Sequence, residues 1–236
     1  PQLTLNVGGT NRIAGYASGS GTSALVFTYT ILAGDSAVNG IAVEANKLSL
    51  NGASLTDLAG NPVASLNHGS VVANPSFKVD TLGPALTTIT YGSNDGKLAN
   101  GERIDFPLTF SEAVVVDGAP RLVLNSGGAA VYASGSGTNT LVFAYTPVSP
   151  DNSSDLSTVT NGALVGTITD LAGNGATTKE FDAKNPTGTV VVDTTAPTVT
   201  ITSDKSSLKS GETAKITFTF SEDPLTSFTA TDVTFV

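Results

Sequence analysis

Cysteine, methionine and tryptophan are absent from this 236-residue chain, histidine occurs once, and only 13% of residues are charged. Without Cys there is no disulfide framework, no thiolate zinc site and no cysteine nucleophile. A single His excludes any metal site needing two imidazoles from the chain. No run of about 18 apolar residues occurs, so no membrane insertion is expected. With no Met, residue 1 is not an initiator, and the sequence is expected to be a processed form or a piece of something longer. No signal peptide is visible in it. Basic residues number 11 against 20 acidic ones, a net charge of -9, which argues against nucleic acid as a partner. What is present is 39% hydrophobic residues and 25 Gly, material for small cores joined by many turns.

The chain repeats itself. Tyr16-Ala-Ser-Gly-Ser-Gly-Thr22 recurs letter for letter as Tyr132-Ala-Ser-Gly-Ser-Gly-Thr138, and Leu25-Val-Phe-Thr-Tyr-Thr30 as Leu141-Val-Phe-Ala-Tyr-Thr146. Thr56-Asp-Leu-Ala-Gly-Asn61 returns as Thr169-Asp-Leu-Ala-Gly-Asn174, and Val79-Asp-Thr-Leu-Gly-Pro84 as Val192-Asp-Thr-Thr-Ala-Pro197. Phe110-Ser-Glu112 reappears as Phe220-Ser-Glu222. The offset falls from 119 to 116 to 113 to 110, each step a three-residue loop indel. Repeats of this length are domains, not solenoid turns. The register predicts three segments: 1–82, lacking the counterpart of its first strands; 83–195, a complete repeat; and 196–236, the first part of a third. Both ends are expected to fall inside domains, which makes self-association or strand exchange of the isolated fragment an expectation.

The pattern is all-β. Ile104, Phe106, Leu108 and Phe110 alternate with Asp105, Pro107 and Thr109, the period of a half-buried strand. Pro107 has no N–H for a ladder, so a free edge or a bulge is expected there. Leu141, Phe143 and Tyr145 make a similar row, as do Leu25, Phe27 and Tyr29. In the complete repeat, strands are predicted near 86–91, 103–110, 121–125, 129–133, 140–146, 163–169 and 188–192. About seven antiparallel strands with Gly, Asn, Asp and Pro between them point to tandem immunoglobulin-like β-sandwiches.

The segments Gly101-Glu-x-Ile-x-Phe-x-Leu-Thr-Phe-Ser-Glu112, Asp170-Leu-Ala-Gly-Asn174 and Val192-Asp-Thr-Thr-Ala-Pro-Thr198 resemble bacterial Ig-like repeats. The third segment, from Thr198, resembles a divergent subfamily of the same repeats. The resemblance implies a tandem array in a large secreted or surface-attached adhesin, of the kind often exported by type I secretion. It implies neighbouring repeats of the same chain as partners, with a distal adhesive ligand that one repeat does not reveal.

Acidic residues stand at the motif positions. If the strands alternate up and down, the incoming linker and the loops after the second and sixth strands share one end of the repeat. That end would collect Asp80, Glu112, Asp170 and Asn174, with Asp193 and Glu222 at the equivalent places of the next joint. Asp35 or Asp151 could be added from the preceding repeat. Hard oxygen ligands converging at a joint suit Ca²⁺, and carboxylates this close would otherwise repel. The resemblance points the same way, since related adhesin repeats are often calcium-stiffened. The competing reading makes Asp80 and Asp193 turn-formers before Pro and Asp170–Asn174 an Asx loop.

Other constellations favour structure over chemistry. Asp80-Thr81 and Asp193-Thr194 lack the Gly of an aspartic-protease motif, and they are repeat equivalents, one per domain. His68 lies in a polar loop without a counterpart in the second repeat, and no nucleophile elbow leads into a helix. Gly19-Ser-Gly21 and Gly135-Ser-Gly137 have neither the Lys nor the helix of a phosphate loop. The expectation is therefore a non-enzymatic, extracellular stalk. Two alternatives stand beside it: a glycan- or host-protein-binding Ig-like module, and accessory repeats of a large secreted hydrolase.

Overall fold

The computed structural model describes residues 1–223; residues 224–236 of the expected third repeat lie outside the described residues. The architecture is all-β. Among the described residues the one helical element is a single 3-10 turn, Thr178–Phe181, and no helix is long and apolar enough to cross a membrane.

The first sheet holds β1 (Gln2–Val7), β2 (Thr10–Ser18), β3 (Val26–Thr28) and β4 (Ile41–Ala42) in the order β3-β2-β1-β4, with β5 (Leu48–Ser49) also on β1. Its core is small. Val7, Ala37 and Val79 are buried, with Leu5, Tyr29 and Ile41 packed alongside.

The second sheet is built around one long strand. β6 (Leu86–Ile89) and β7 (Lys97–Leu98) precede β8 (Ile104–Val123), which is followed by β9 (Ala129–Ser134) and β10 (Thr138–Tyr145). β11 (Asn152–Ser153), β12 (Leu164–Asp170) and β13 (Val191–Asp193) complete this part of the chain. The first half of β8 ladders with β6 and β10, and the second half with β9 and β12. One strand thus serves two ladders. Ile104, Phe106, Leu108 and Phe110 from its first half share a core with Val114 and Leu122 from its second half, and with Leu141, Phe143, Tyr145 and Ile168. Over 104–110 alternation buries every second side chain, as the row predicts, and two bulges interrupt it further along.

The strands predicted separately at 103–110 and 121–125 are continuous. Asp117-Gly-Ala-Pro120 forms a bulge instead of a turn: β12 advances from Val165 to Thr167 while β8 covers Arg121 back to Asp117. Gly118 takes the left-handed φ of 77° that the bulge needs. At Pro107 the pairing with the β6 segment loses one bond, and it continues with Gly92 N donating to Asp105 O at 2.7 Å. Ile89 pairs with Leu108, Thr90 N then donates to the Pro107 carbonyl at 3.0 Å, and Pro107 has no N–H to return the bond.

β11, β13 and β7 form a separate three-stranded sheet with β13 in the middle. β13 runs antiparallel to β11 but parallel to β7, the one parallel pairing among the described strands and one the sequence did not signal. The two-residue strands β7 and β11 are too short to leave a periodic signal in the sequence.

The sequence repeat is also a structural one. Leu3 pairs with Ala14 as Leu122 pairs with Ala130, and Phe27 pairs with Tyr16 as Phe143 pairs with Tyr132. The hairpin of β14 (Val199–Ser203) and β15 (Ile216–Phe220) copies β6 and the start of β8. Thr198 N donates to Ser221 Oγ at 2.9 Å, where Ala85 N donates to Ser111 Oγ at 3.0 Å.

Candidate functional site: an acidic joint

Three segments bring carboxylates together. Between Thr109 and Val114, β8 covers five positions while β10 covers two, so residues 110–113 bulge out of the ladder and Glu112 is carried on the bulge. β12 ends at Asp170, which pairs with Val114 and so lies beside that bulge. Asp80 comes from the linker after the first sheet. One carboxylate oxygen from each of Asp80, Glu112 and Asp170 lies within 4.8 Å of the other two. Among the described residues this is the one such group of three.

The loop chemistry holds Asp170 rigidly. Its Oδ1 accepts from the amides of Ala172 and Asn174, each at 2.8 Å, and its Oδ2 accepts from Asn174 Nδ2 at 2.7 Å. Burial alone would raise this carboxyl. The side-chain and backbone bonds from Asn174, with those from Ala172 and Gly173, outweigh burial and hold it below the usual aspartate value. Glu112 is displaced the other way, first by burial and then by the negative charges of Asp80 and Asp170. No donor among the described residues reaches its carboxylate. The cluster therefore contains one carboxylate that is well solvated by the protein and one that is electrostatically strained.

Asp80 is fixed from both sides. Its Oδ1 accepts from Leu82 N at 3.0 Å, and its backbone carbonyl accepts from Asn174 Nδ2 at 3.2 Å. The neighbouring Thr81 hydroxyl donates to the Asp35 carbonyl at 3.0 Å and accepts from Gly34 N at 3.0 Å. Both readings of these acids are thus present in one place. The turns form as Asx-type loops, and the loops converge their charges.

The remaining predicted residues fall elsewhere. Asp193 accepts from Thr195 N at 2.9 Å, as Asp80 accepts from Leu82. It lines one surface concavity with Glu222, Lys97 and Val191. The carboxylates of Asp35 and Asp151 do not join the cluster, because each is buried and bound within its own repeat. Asp35 is bound by Arg12 Nε at 2.7 Å, by Leu32 N at 2.9 Å and by the Tyr29 hydroxyl. Asp151 is bound by the Tyr145 hydroxyl at 2.8 Å and by Val148 N at 3.2 Å. These tyrosine–aspartate pairs are repeat equivalents that sequence reading missed, although the matched spacing of Tyr29 to Asp35 and Tyr145 to Asp151 carries the signal. His68 accepts the amides of Lys47 and Leu48 at Nε2, at 2.9 and 3.2 Å, with Nδ1 directed at the Gly69 carbonyl, so it organises its own loop.

No curated protein and no solved structure matches the chain. One family model does, described as Bacterial Ig-like domain, over residues 193–236, and it supports a bacterial Ig-like domain, a structural or binding module, at the position where β14 and β15 repeat the opening of the second sheet.

Proposed function

We propose that the chain is a stretch of non-enzymatic Ig-like repeats, bounded near 82 and 195, from the extended stalk of a large bacterial extracellular adhesin. On this reading Asp80, Glu112 and Asp170 hold Ca²⁺ across the joint between the first two repeats. The observation that carries it is the meeting of three carboxylates from three separate segments, one of them the linker itself. The donor set fits the ion. All the ligands are hard oxygens, with no imidazole or thiolate to favour zinc. Two oxygens each about 2.4 Å from one Ca²⁺ are separated by about 4.8 Å at most, the limit within which this group lies. Water and backbone carbonyls would complete the six to eight positions that Ca²⁺ takes. Bound Ca²⁺ supplies positive charge that removes the repulsion at Glu112 and ties the linker to β8 and β12. Asp193 and Glu222, the repeat equivalents of Asp80 and Glu112, are proposed to serve the following joint in the same way.

Calorimetric titration of the EDTA-stripped chain with CaCl₂, paired with melting curves, tests this. Saturable binding and a higher Tm are expected, both lost in Asp170→Asn. Equal Tm in Ca²⁺ and EDTA with no binding heat would overturn the proposal.

A further inference from the structure

The linker between the first and second sheets is fastened on both sides with almost no slack. On the first side, Ala37 N donates to Val79 O at 2.8 Å, Val79 N to Ala37 O at 3.1 Å, and the Thr81 hydroxyl to Asp35 O at 3.0 Å. On the second side, Asn174 Nδ2 reaches Asp80 O, Ala85 N donates to Ser111 Oγ at 3.0 Å, and Leu86 N to Glu180 Oε2 at 2.7 Å. Between these two sets of anchors, Gly83 lies directly on the backbone of the 170–175 loop. A Cβ at residue 83 would stand 2.1 Å from the Gly175 oxygen and 2.9 Å from its carbonyl carbon. Backbone atoms on an anchored loop cannot swing aside as the end of a flexible side chain could.

We propose that Gly83 is the positioning residue of this joint: the missing side chain lets linker and loop dock backbone to backbone, and this contact fixes the arrangement of the two repeats without a metal ion. The sequence supplies a contrast. The repeat equivalent of Gly83 is Ala196, in Asp193-Thr-Thr-Ala-Pro197. A joint carrying Ala at that position cannot reproduce the approach seen at Gly83. An array mixing Gly and Ala at this position would alternate between closely docked and more open joints. The inference does not depend on Ca²⁺. It concerns the linker backbone, whereas the metal proposal concerns the carboxylates.

The test uses the full chain in EDTA, so that failure of the metal reading cannot be confused with failure of this one. Because there is no native Cys, spin labels can be placed uniquely at Ser23→Cys, in the bend between β2 and β3, and at its exposed repeat equivalent Asn139→Cys on β10. A single narrow distance distribution is expected for the parent and for Gly175→Ala, where an added Cβ meets nothing within 4 Å. Gly83→Ala, which installs the residue of the next joint, is expected to shift and broaden the distribution at unchanged circular dichroism. Asn174→Ala, which removes the amide reaching Asp80, is expected to broaden it in the same direction and serves if Gly83→Ala does not fold. A broad distribution already in the parent overturns the proposal. So does a Gly83→Ala distribution identical to the parent's or, if that variant does not fold, an unbroadened one in Asn174→Ala.

Discussion

Asn174 donates its side-chain amide to Asp170 Oδ2 at 2.7 Å, and Asn61 makes the same bond to Asp57 Oδ2 at 2.9 Å in the first repeat. The second pair sits on an exposed loop, whereas Asp170 is buried and its asparagine reaches on to the linker. Asn174→Ala is therefore expected to cost about 1 kcal/mol, below the usual range for a bond to a charged group because the loop borders solvent. The sign with pH follows from the lowered Asp170 carboxyl. A depressed folded value gives stability above the unfolded value that is lost as pH falls through the folded one. The difference between parent and variant should be full at neutral pH and vanish in strong acid. Urea unfolding at several pH values measures it, and a pH-independent difference would assign the effect to backbone geometry alone.

Glu112 predicts the opposite dependence. Burial, Asp80 and Asp170 raise its carboxyl in the folded chain. A raised folded value means stability that is complete below the unfolded value and lost as pH rises through the folded one. In EDTA, Glu112→Gln should match the parent at low pH and exceed it by a few tenths of a kcal/mol at neutral pH, solvent screening keeping the gain small. With Ca²⁺ present the order should reverse if the joint binds the ion. A variant less stable than the parent at both pH extremes in EDTA would mean that Glu112 has a stabilising role of its own.

The alternating rows, the repeat register and the meeting of Asp80, Glu112 and Asp170 were legible because each depends on local pattern or on repeat equivalence. Period-2 burial of 104–110 needs only the strand twofold. Grouping the acids at one end needs only an up-and-down topology. Three features were not legible. Asp117-Gly118 has the composition of a hairpin turn, and only pairing with β12 keeps it extended as a bulge. Asp35 and Asp151 look like loop acids, and their burial depends on tyrosines six residues earlier whose hydroxyls turn back toward them. The parallel contact of β13 with β7 joins residues far apart in sequence through strands too short to show a period.

Tyr145 tests the buried polar network directly. Its hydroxyl lies 2.8 Å from both Ser126 Oγ and Asp151 Oδ2, inside the core. Burial first, and then Asp151, push its phenol up to about 12, although the Ser126 bond opposes the shift. The hydroxyl therefore stays protonated as a donor throughout the ordinary pH range. Tyr145→Phe keeps the ring and removes that donor, leaving Asp151 Oδ2 with the Val148 amide. A loss of about 1–3 kcal/mol is expected, the usual cost of stranding a buried charged acceptor, read as a lower urea midpoint with unchanged m-value. Ser126→Ala should cost less, since Asp151 keeps its tyrosine. Equal costs would show that the serine–tyrosine contact, not the carboxylate, sustains the network.

Phe27 and Phe143 are the same residue in the same register, each facing its tyrosine across the strand pair. Ring centroids are 6.1 Å apart at 75° for Tyr16–Phe27 and 6.0 Å apart at 72° for Tyr132–Phe143. Their surroundings differ. Phe143 is 0% exposed because β8 covers the far side of β10 and places Phe106 opposite it. Phe27 lies on β3, the edge strand of its sheet among the described residues, and is only half-buried. Local geometry is thus held constant while burial varies. Phe143→Ala should cost about 3–5 kcal/mol, as for a large side chain removed from a closed core, and Phe27→Ala about 1 kcal/mol. Hydrogen exchange followed by mass spectrometry separates the effects by peptide: the first substitution should deprotect β8–β10 throughout, the second only β2 and β3. Similar costs at the two sites would mean that the aromatic pair itself, and not the strand laid over it, sets the stability of each repeat.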